Sequence, residues 1–591
     1  MTTITTDAVT ESQGLPRLTR WQRFRQDLTV FKVVSIVVAL ALSALAVYPL
    51  SRVLLRLFVV DGEVDLSAFR EAFTQNDLGE LLFNTAIVVA GSAILALLIG
   101  SVLAWLNERT NARLGIATDS LPLIPFLLPP IAGAVGWALL LSERAGLLNA
   151  FLRYLLSFVG IEITEGPLNI YSWWGLIFVY TIYQIPYAFL LVSAGLRNVD
   201  PAMEEQSRIS GASLFRTMRK VTIPAVRPSL GAAVLLMIWF GFALFSVPVI
   251  IGTGAGIDVL SVRIVRLLSF TYPPQTAVGV GLSSIVIVVV GTAWFFQMRL
   301  LRRGHHATVG GKGHRTTRIH LGAWKWPARG LLFGYVFVAS ILPLIGLALV
   351  ALNGFWTANI NWGALDLDSF RQVLFEDEVT RRALNNSIAL ALVGATIGIV
   401  AAAILALLLK RSSSRLVRVI DGAVKLPAAI SSIVIAVGFL LAFSGPPFNL
   451  SGSFLILLLA YLVLYMPQGS VAADAAASQV GQELPEASQI AGARPGRTFW
   501  RINFPLMLPG LAAGWSLLFV RMAGDLTASA MLSGTANPVV GFRILEIYQG
   551  ASYPPLAALS IVLTLVMLVV IVAVTLLVRR RGAFKVMGAS A

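Results

Sequence analysis

Residues 204–224 read EEQSRISGASLFRTMRKVTIP, and residues 485–505 read PEASQIAGARPGRTFWRINFP. Set 281 positions apart, they align Glu205 with Glu486, Ile209 with Ile490, Gly211 with Gly492, Arg216 and Thr217 with Arg497 and Thr498, and Pro224 with Pro505. The same offset reaches outward to Pro186 and Pro467, to Pro228 and Pro509, and to the run Tyr272, Pro273, Pro274 against Tyr553, Pro554, Pro555. Nearer the start of each half the offset becomes 301 or 302. There Phe69 and Arg70 resemble Phe370 and Arg371, NTAIVVAG at 84 resembles NSIALALVG at 386, and Pro125 and Gly136 match Pro427 and Gly438. Self-similarity of this kind marks one structural unit used twice.

Both stretches are polar and basic, whereas the chain as a whole is 57% hydrophobic and only 13% charged, with a mean hydropathy of +0.81. A soluble domain carries roughly a quarter charged residues, so the composition points to a chain that crosses a membrane many times. Apolar runs of about 20 residues, enough to span hydrocarbon at 1.5 Å per residue, occur near 31–50, 84–106, 120–141, 172–195, 228–252 and 276–298. Six more occur near 328–352, 386–409, 421–443, 453–474, 506–532 and 555–578. None shows the two-residue alternation of a barrel strand, so helices are expected. The first run is too long and too far from the start for a cleaved signal and reads as a retained anchor.

The sequence therefore predicts an all-α membrane protein with about 12 transmembrane helices in two parallel six-helix repeats, the parallel sense following from an even number of crossings per unit. The expected units are 31–298 and 328–578. Between them a basic, glycine-rich linker, 299–327, reads as a flexible tether, and tails 1–30 and 579–591 flank them. Loops on one side carry the lysine and arginine excess: Arg17, Arg20, Arg23 and Arg25 in the N-terminal tail, eight basic residues over 299–329, four over 410–418, and Arg579, Arg580, Arg581 and Lys585 at the end. That side is expected to be the cytosol, with both termini on it. Residues 61–80, with six acidic residues and one basic, fall on the other side. The net charge of +16 is thus spread over loops as topology, which argues against nucleic-acid binding. Absence of cysteine excludes disulfides and thiolate metal sites.

Each repeated stretch occupies the loop between the fourth and fifth helices of its unit, 197–227 and 475–508. Asp200 suits an N-cap and Pro201 the first turn. Gly211 offers a positive φ for a sharp bend. A second basic helix from Ser213 to Val221 should follow, with Pro224 and Pro228 opening the next membrane helix. The expectation is a short helix, a bend and another short helix lying across the cytosolic face. A lipid-facing surface loop would account for Arg216, Arg219 and Lys220, but it requires no fixed spacing of glutamate, glycine and proline; a protein-docking loop does.

That spacing, Glu-x-x-x-x-x-Gly, nine residues, then aliphatic, any, apolar, proline, resembles the EAA loop of ATP-binding-cassette importer permeases. It stands here as Glu205, Gln206, Ser207, Gly211, Val221, Ile223, Pro224 and again as Glu486, Ala487, Ser488, Gly492, Ile502, Phe504, Pro505. The motif's two alanines are replaced by Gln206 and Ser207, and its second alanine by Ser488. The resemblance implies the type I importer permease fold in a bacterial inner membrane and a coupling helix in each loop, seated in a cleft of one of two separate ATPase subunits. It also implies a solute-binding protein on the outer face, met by the loops near Tyr272 and Tyr553. ATP and magnesium would be held by the partner subunits, with no cofactor and no catalytic residue in this chain. The sequence agrees in lacking G-x-x-x-x-G-K-[ST]; Gly310, Gly311 and Lys312 do not have that spacing.

Ionisable residues inside membrane helices point to a path. Arg521 and Asp525 fall in the eleventh run, four apart and hence on one helical face, where they could pair or line a wet cavity. Their counterparts Phe240 and Leu244 are apolar. Asp474, near the cytosolic end, reads as a solvated or coupling residue. All four histidines, His305, His306, His314 and His320, fall in the linker, so no metal site is expected in the path. As cargo, QIPYAFLLVSAGLRNVDPAMEE before the first loop and RMAGDLTASAMLSG after the second make the fused chain similar to the ferric-iron type. Related fused chains serve thiamine or phosphonates. An ion-driven secondary transporter is the competing class; it would need carboxylates near the midplane and would leave the twin loops without a purpose.

Overall fold

The computed structural model describes residues 30–60, 63–115, 118, 121–303, 318–411, 415–478, 483–493 and 495–588. The basic N-terminal tail and the linker residues His305, His306 and His314 lie outside them. Among the described residues, ten helices of 21 to 32 residues are long and apolar enough to cross a membrane. Two further apolar runs are helix pairs bent sharply in the middle, Leu121–Leu127 with Pro130–Leu141 at 94°, and Val419–Ala428 with Ser432–Phe443 at 109°. Two of the twelve expected continuous helices, 120–141 and 421–443, are therefore corrected to bent pairs. In the first of them Pro122, Pro125, Pro129 and Pro130 remove amide donors and restrict the residues before them, so the chain turns where hydropathy alone stays uniform.

Two more runs stop short. The helix Ile223–Ala243 ends inside the expected 228–252, and Phe504–Ala523 ends inside 506–532. A broken helix frees backbone groups that must be satisfied in place. In the first repeat the Leu244 carbonyl accepts bonds from the Tyr180 hydroxyl (3.1 Å) and the Ser261 hydroxyl (3.0 Å). In the second, the Asp525 carboxylate collects the amides of Ala528 (2.9 Å) and Ser529 (3.1 Å) and starts the next turn.

The first helix of each unit packs on the other unit. Val30–Phe58 lies along Arg415–Lys425 and Ser432–Phe443, while Leu342–Asn353 lies along Pro130–Leu141. The matched glycines mark the two crossings. A Cβ on Gly136 would sit 2.8 Å from the Pro343 carbonyl oxygen and Cβ, and one on Gly438 would sit 2.8 Å from the Pro49 carbonyl oxygen. Only glycine allows backbones to approach this closely.

The repeated Asn-Thr and Asn-Ser pairs have the same tertiary role twice. Asn84 donates to the Asp258 carbonyl (3.2 Å) and Thr85 accepts the Leu260 amide (2.9 Å); Asn386 donates to the Pro538 carbonyl (3.0 Å) and Ser387 accepts the Val540 amide (2.8 Å). Beside them Arg263 pairs with Asp77 (2.5 Å) and Asp258 (2.6 Å), and Arg543 pairs with Asp377 (2.9 Å). The Arg263 guanidinium holds the Asp77 carboxyl below its ordinary range. Burial pushes the Asp377 carboxyl up, but the bonds from Thr380 and Arg543 bring it below that range as well. These clamps fasten the start of Leu78–Arg109 and of Glu378–Arg411 on the face opposite the repeated loops. The equivalent arginines, Arg263 and Arg543, lie 280 positions apart, not 281, so the repeat slips locally by one position that the flanking matches conceal.

Candidate functional site

The two repeated loops adopt one conformation. Asp200 caps Pro201–Ile209, accepting the Ala202 amide at 2.9 Å, and the second copy forms Glu483–Ile490. Both helices end on a left-handed glycine, Gly211 and Gly492, each at φ 82°. The Ala212 amide reaches back to the Ser207 carbonyl (3.1 Å) and the Ala493 amide to the Ser488 carbonyl (3.0 Å), closing the helix ends in the same way. A hydroxyl pair then staples each bend, Ser207 to Thr217 and Ser488 to Thr498, both at 3.0 Å. The serines that depart from the motif's alanines thus make the same bond in both copies. Gln206 and Ala487 occupy exposed helical positions, and Glu205 is half-buried where Glu486 is exposed.

The expected second helix across the face is corrected. Leu214–Thr217 and Pro495–Thr498 continue, through one widened turn each, into the membrane helix. The Ile223 amide bonds back to Met218 and the Phe504 amide to Phe499, five residues earlier. Pro224 and Pro505 follow immediately. Their missing N–H is absorbed by the wide turn, so the helix is not broken there. Each loop helix is consequently joined through one glycine bend to a helix that runs on without a break, to Ala243 in the first repeat and to Ala523 in the second.

The first loop has an anchor that the sequence reading missed. Glu204, next to the motif glutamate, is buried and pairs with Arg109 at 3.1 Å, and it accepts the Thr222 hydroxyl at 2.9 Å. Arg109 also donates to the carbonyls of Leu196 (2.9 Å) and Val199 (3.1 Å), tying the end of Trp173–Asn198 to the loop. Ile319, where the linker returns to the described chain, is bonded to Arg109 and Asn111 through backbone groups. In the second copy Pro485 and Asn503 occupy the positions of Glu204 and Thr222. In sequence Arg109 reads as one more topological charge at a helix end. Nothing local distinguishes it.

At the centre, between the repeats, lies a cavity of about 110 Å³, room for several waters. Arg521 and Asp525 both line it, and so do their counterparts Phe240 and Leu244. The two charges do not pair with each other. Because the helix ends at Ala523, Asp525 leaves the helical face that a four-residue spacing implies. Its carboxylate instead accepts the Tyr465 hydroxyl at 2.7 Å in addition to the two amides. Arg521 bonds the Tyr187 hydroxyl and lies over the rings of Phe126 (4.8 Å), Tyr187 (5.8 Å) and Phe240 (5.8 Å). Asp474 meets Lys425 at 3.2 Å. Tyr272 is almost fully exposed, whereas Tyr553 is half-buried against Trp356. Among the described residues no group of three or more histidine or carboxylate side chains could hold a metal.

Comparison with known proteins agrees with this arrangement. The signature of the binding-protein-dependent transport system inner membrane component matches twice, over 96–303 and 394–582, once per repeat. The chain is 22% identical over 532 residues to the ferric transport system permease protein FbpB of Actinobacillus pleuropneumoniae, covering 89% of this chain and 75% of that protein. It is 23% identical over 507 residues to the Fe(3+)-transport system permease protein FbpB 2 of Haemophilus influenzae, covering 85% and 91%. The molybdenum transport system permease protein ModB of Mycobacterium tuberculosis is 27% identical over 259 residues, 91% of its own length but 42% of this chain, as a single unit would be. With the family signature on both repeats, the chain is a multi-pass membrane permease, a transport component and not an enzyme, and it belongs to the family of inner membrane components of binding-protein-dependent ABC importers.

Proposed function

We propose that this chain carries ferric iron inward across the bacterial inner membrane, driven by two separate ATPase subunits and supplied by an extracytoplasmic binding protein. The paired loops carry the reading. Ile209 and Ile490 sit at the ends of the two loop helices with 87% and 88% of their surface exposed, an apolar tip on each lever that none of the described residues covers. A cleft in an ATPase subunit supplies that cover, and closing of two such subunits is a rigid-body movement that a continuous helix delivers to the cavity. The lysine and arginine excess of the loops on the levers' side supports a cytosolic position for these levers and both termini. Iron as cargo is supported by the ferric permeases among the relatives.

Absence of cysteine makes the contact directly testable. Ile209→Cys and Ile490→Cys should each label rapidly with a membrane-impermeant maleimide in inside-out vesicles stripped of peripheral proteins. Adding the ATPase should slow labelling at both positions by about tenfold or more, the factor for losing more than 1.4 kcal/mol of accessibility. Unchanged rates at both positions would reject the docking assignment.

A further inference from the structure

The cavity is lined by an arginine that forms no ion pair. None of the ion pairs among the described residues includes Arg521, and its Nε, although buried, makes no hydrogen bond. Asp525 lines the same cavity but makes no ion pair with Arg521: its carboxylate oxygens are bonded by Tyr465 and by the amides of Ala528 and Ser529. Three aromatic faces stabilise the guanidinium, one of them Phe240, its own counterpart in the first repeat. Ring faces disperse a cation's charge without cancelling it, so the guanidinium keeps its attraction for an anion in a medium that screens poorly.

The other polar groups facing this space add donors. Trp239 lines the cavity, and its indole N–H has no acceptor. Ser246 and Thr527, which occupy the same position in the two repeats, bring a hydroxyl from each side. The unbonded Nε of Arg521, an unused indole N–H and two hydroxyls form a donor set matched to carboxylate or oxyanion oxygen. The Gln468 Oε1, which also lines the cavity and has no donor, suits the hydroxyl of a protonated oxyanion.

We propose that this cavity binds an anion, so that cargo crosses either as a small oxyanion or as a metal enclosed in a complex of net negative charge. Only the word cargo rests on the importer reading; the binding itself does not. Full-length chain in lipid nanodiscs should bind ³²P-labelled inorganic phosphate, or ⁵⁵Fe-labelled ferric citrate, saturably in equilibrium dialysis. The first arm reports a free oxyanion and the second a metal within an anionic complex. Arg521→Met, neutral and of similar bulk, should weaken that binding about tenfold or more, as expected when one member of a desolvated charge pair is removed. Arg521→Lys, which keeps the charge, should restore most of it. Trp239→Phe, which keeps the ring and removes the N–H, should weaken it several-fold and guards against misfolding of the arginine variants.

Binding of neither probe, or equal binding by Arg521→Met, overturns the proposal. ATP-driven uptake by the assembled transporter separates this result from the importer assignment. Anion binding without uptake leaves the site standing and removes the importer reading. Uptake with no anion binding does the reverse.

Discussion

Arg109→Ala is expected to unseat the first loop. The substitution leaves the Glu204 carboxylate buried with only the Thr222 hydroxyl, and it also removes the donor to the Leu196 and Val199 carbonyls. Stranding one member of a buried pair costs about 3–5 kcal/mol. The carboxylate can escape that cost only by swinging out and taking Pro201–Ile209 with it. The expected outcome is a lowered melting temperature and loss of most ATP-driven uptake, measured on purified protein and in proteoliposomes. Arg109→Met combined with Glu204→Met removes both charges while keeping bulk, and should recover stability. If the double variant also recovers uptake, the pair serves as a fastener and carries no charge-specific function. The second loop has Pro485 in place of Glu204 and should tolerate Asn503→Ala far better, since the Asn503 side-chain oxygen is buried without a partner already.

Gly136→Leu and Gly438→Leu should disrupt the exchange of first helices between units. At both crossings even a methyl group would enter the van der Waals shell of a proline backbone carbonyl, 2.8 Å away, and a helix backbone does not yield as a flexible side chain would. Overpacking of this kind costs about 1–3 kcal/mol or more. The expected result is a drop in thermal stability for each variant and protease sensitivity near Val30–Phe58 for Gly438→Leu. Gly291→Ala, where an added Cβ meets nothing within 4 Å, serves as the silent control. Equal stability of all three would mean that the crossings are looser than the glycines imply.

Most of the architecture was legible because it depends on features that repeat along the chain. The 281-residue offset revealed two units, apolar runs located the membrane crossings, and Asp200-Pro201 with Gly211 foretold the capped helix and its bend. The breaks were not legible. An apolar run has the same hydropathy straight or bent at 94°, and the stop at Ala523 depends on the Asp525 carboxylate capturing amides beyond it. The partner of a buried charge was equally hidden, since Arg109 and Glu204 lie 95 positions apart and each alone suits its helix end. Arg521 and Asp525 stand out in the sequence by their cost in hydrocarbon, yet the aromatic cage around Arg521 is purely tertiary.

The central claim is that two equivalent levers in this chain are driven by ATPase subunits housed elsewhere. Proteoliposomes containing this chain alone, then with its ATPase, then with a ferric-loaded binding protein as well, test it most directly. The account predicts accumulation of ⁵⁵Fe only in the complete, ATP-supplied system. Accumulation by the chain alone under a proton or sodium gradient would contradict it.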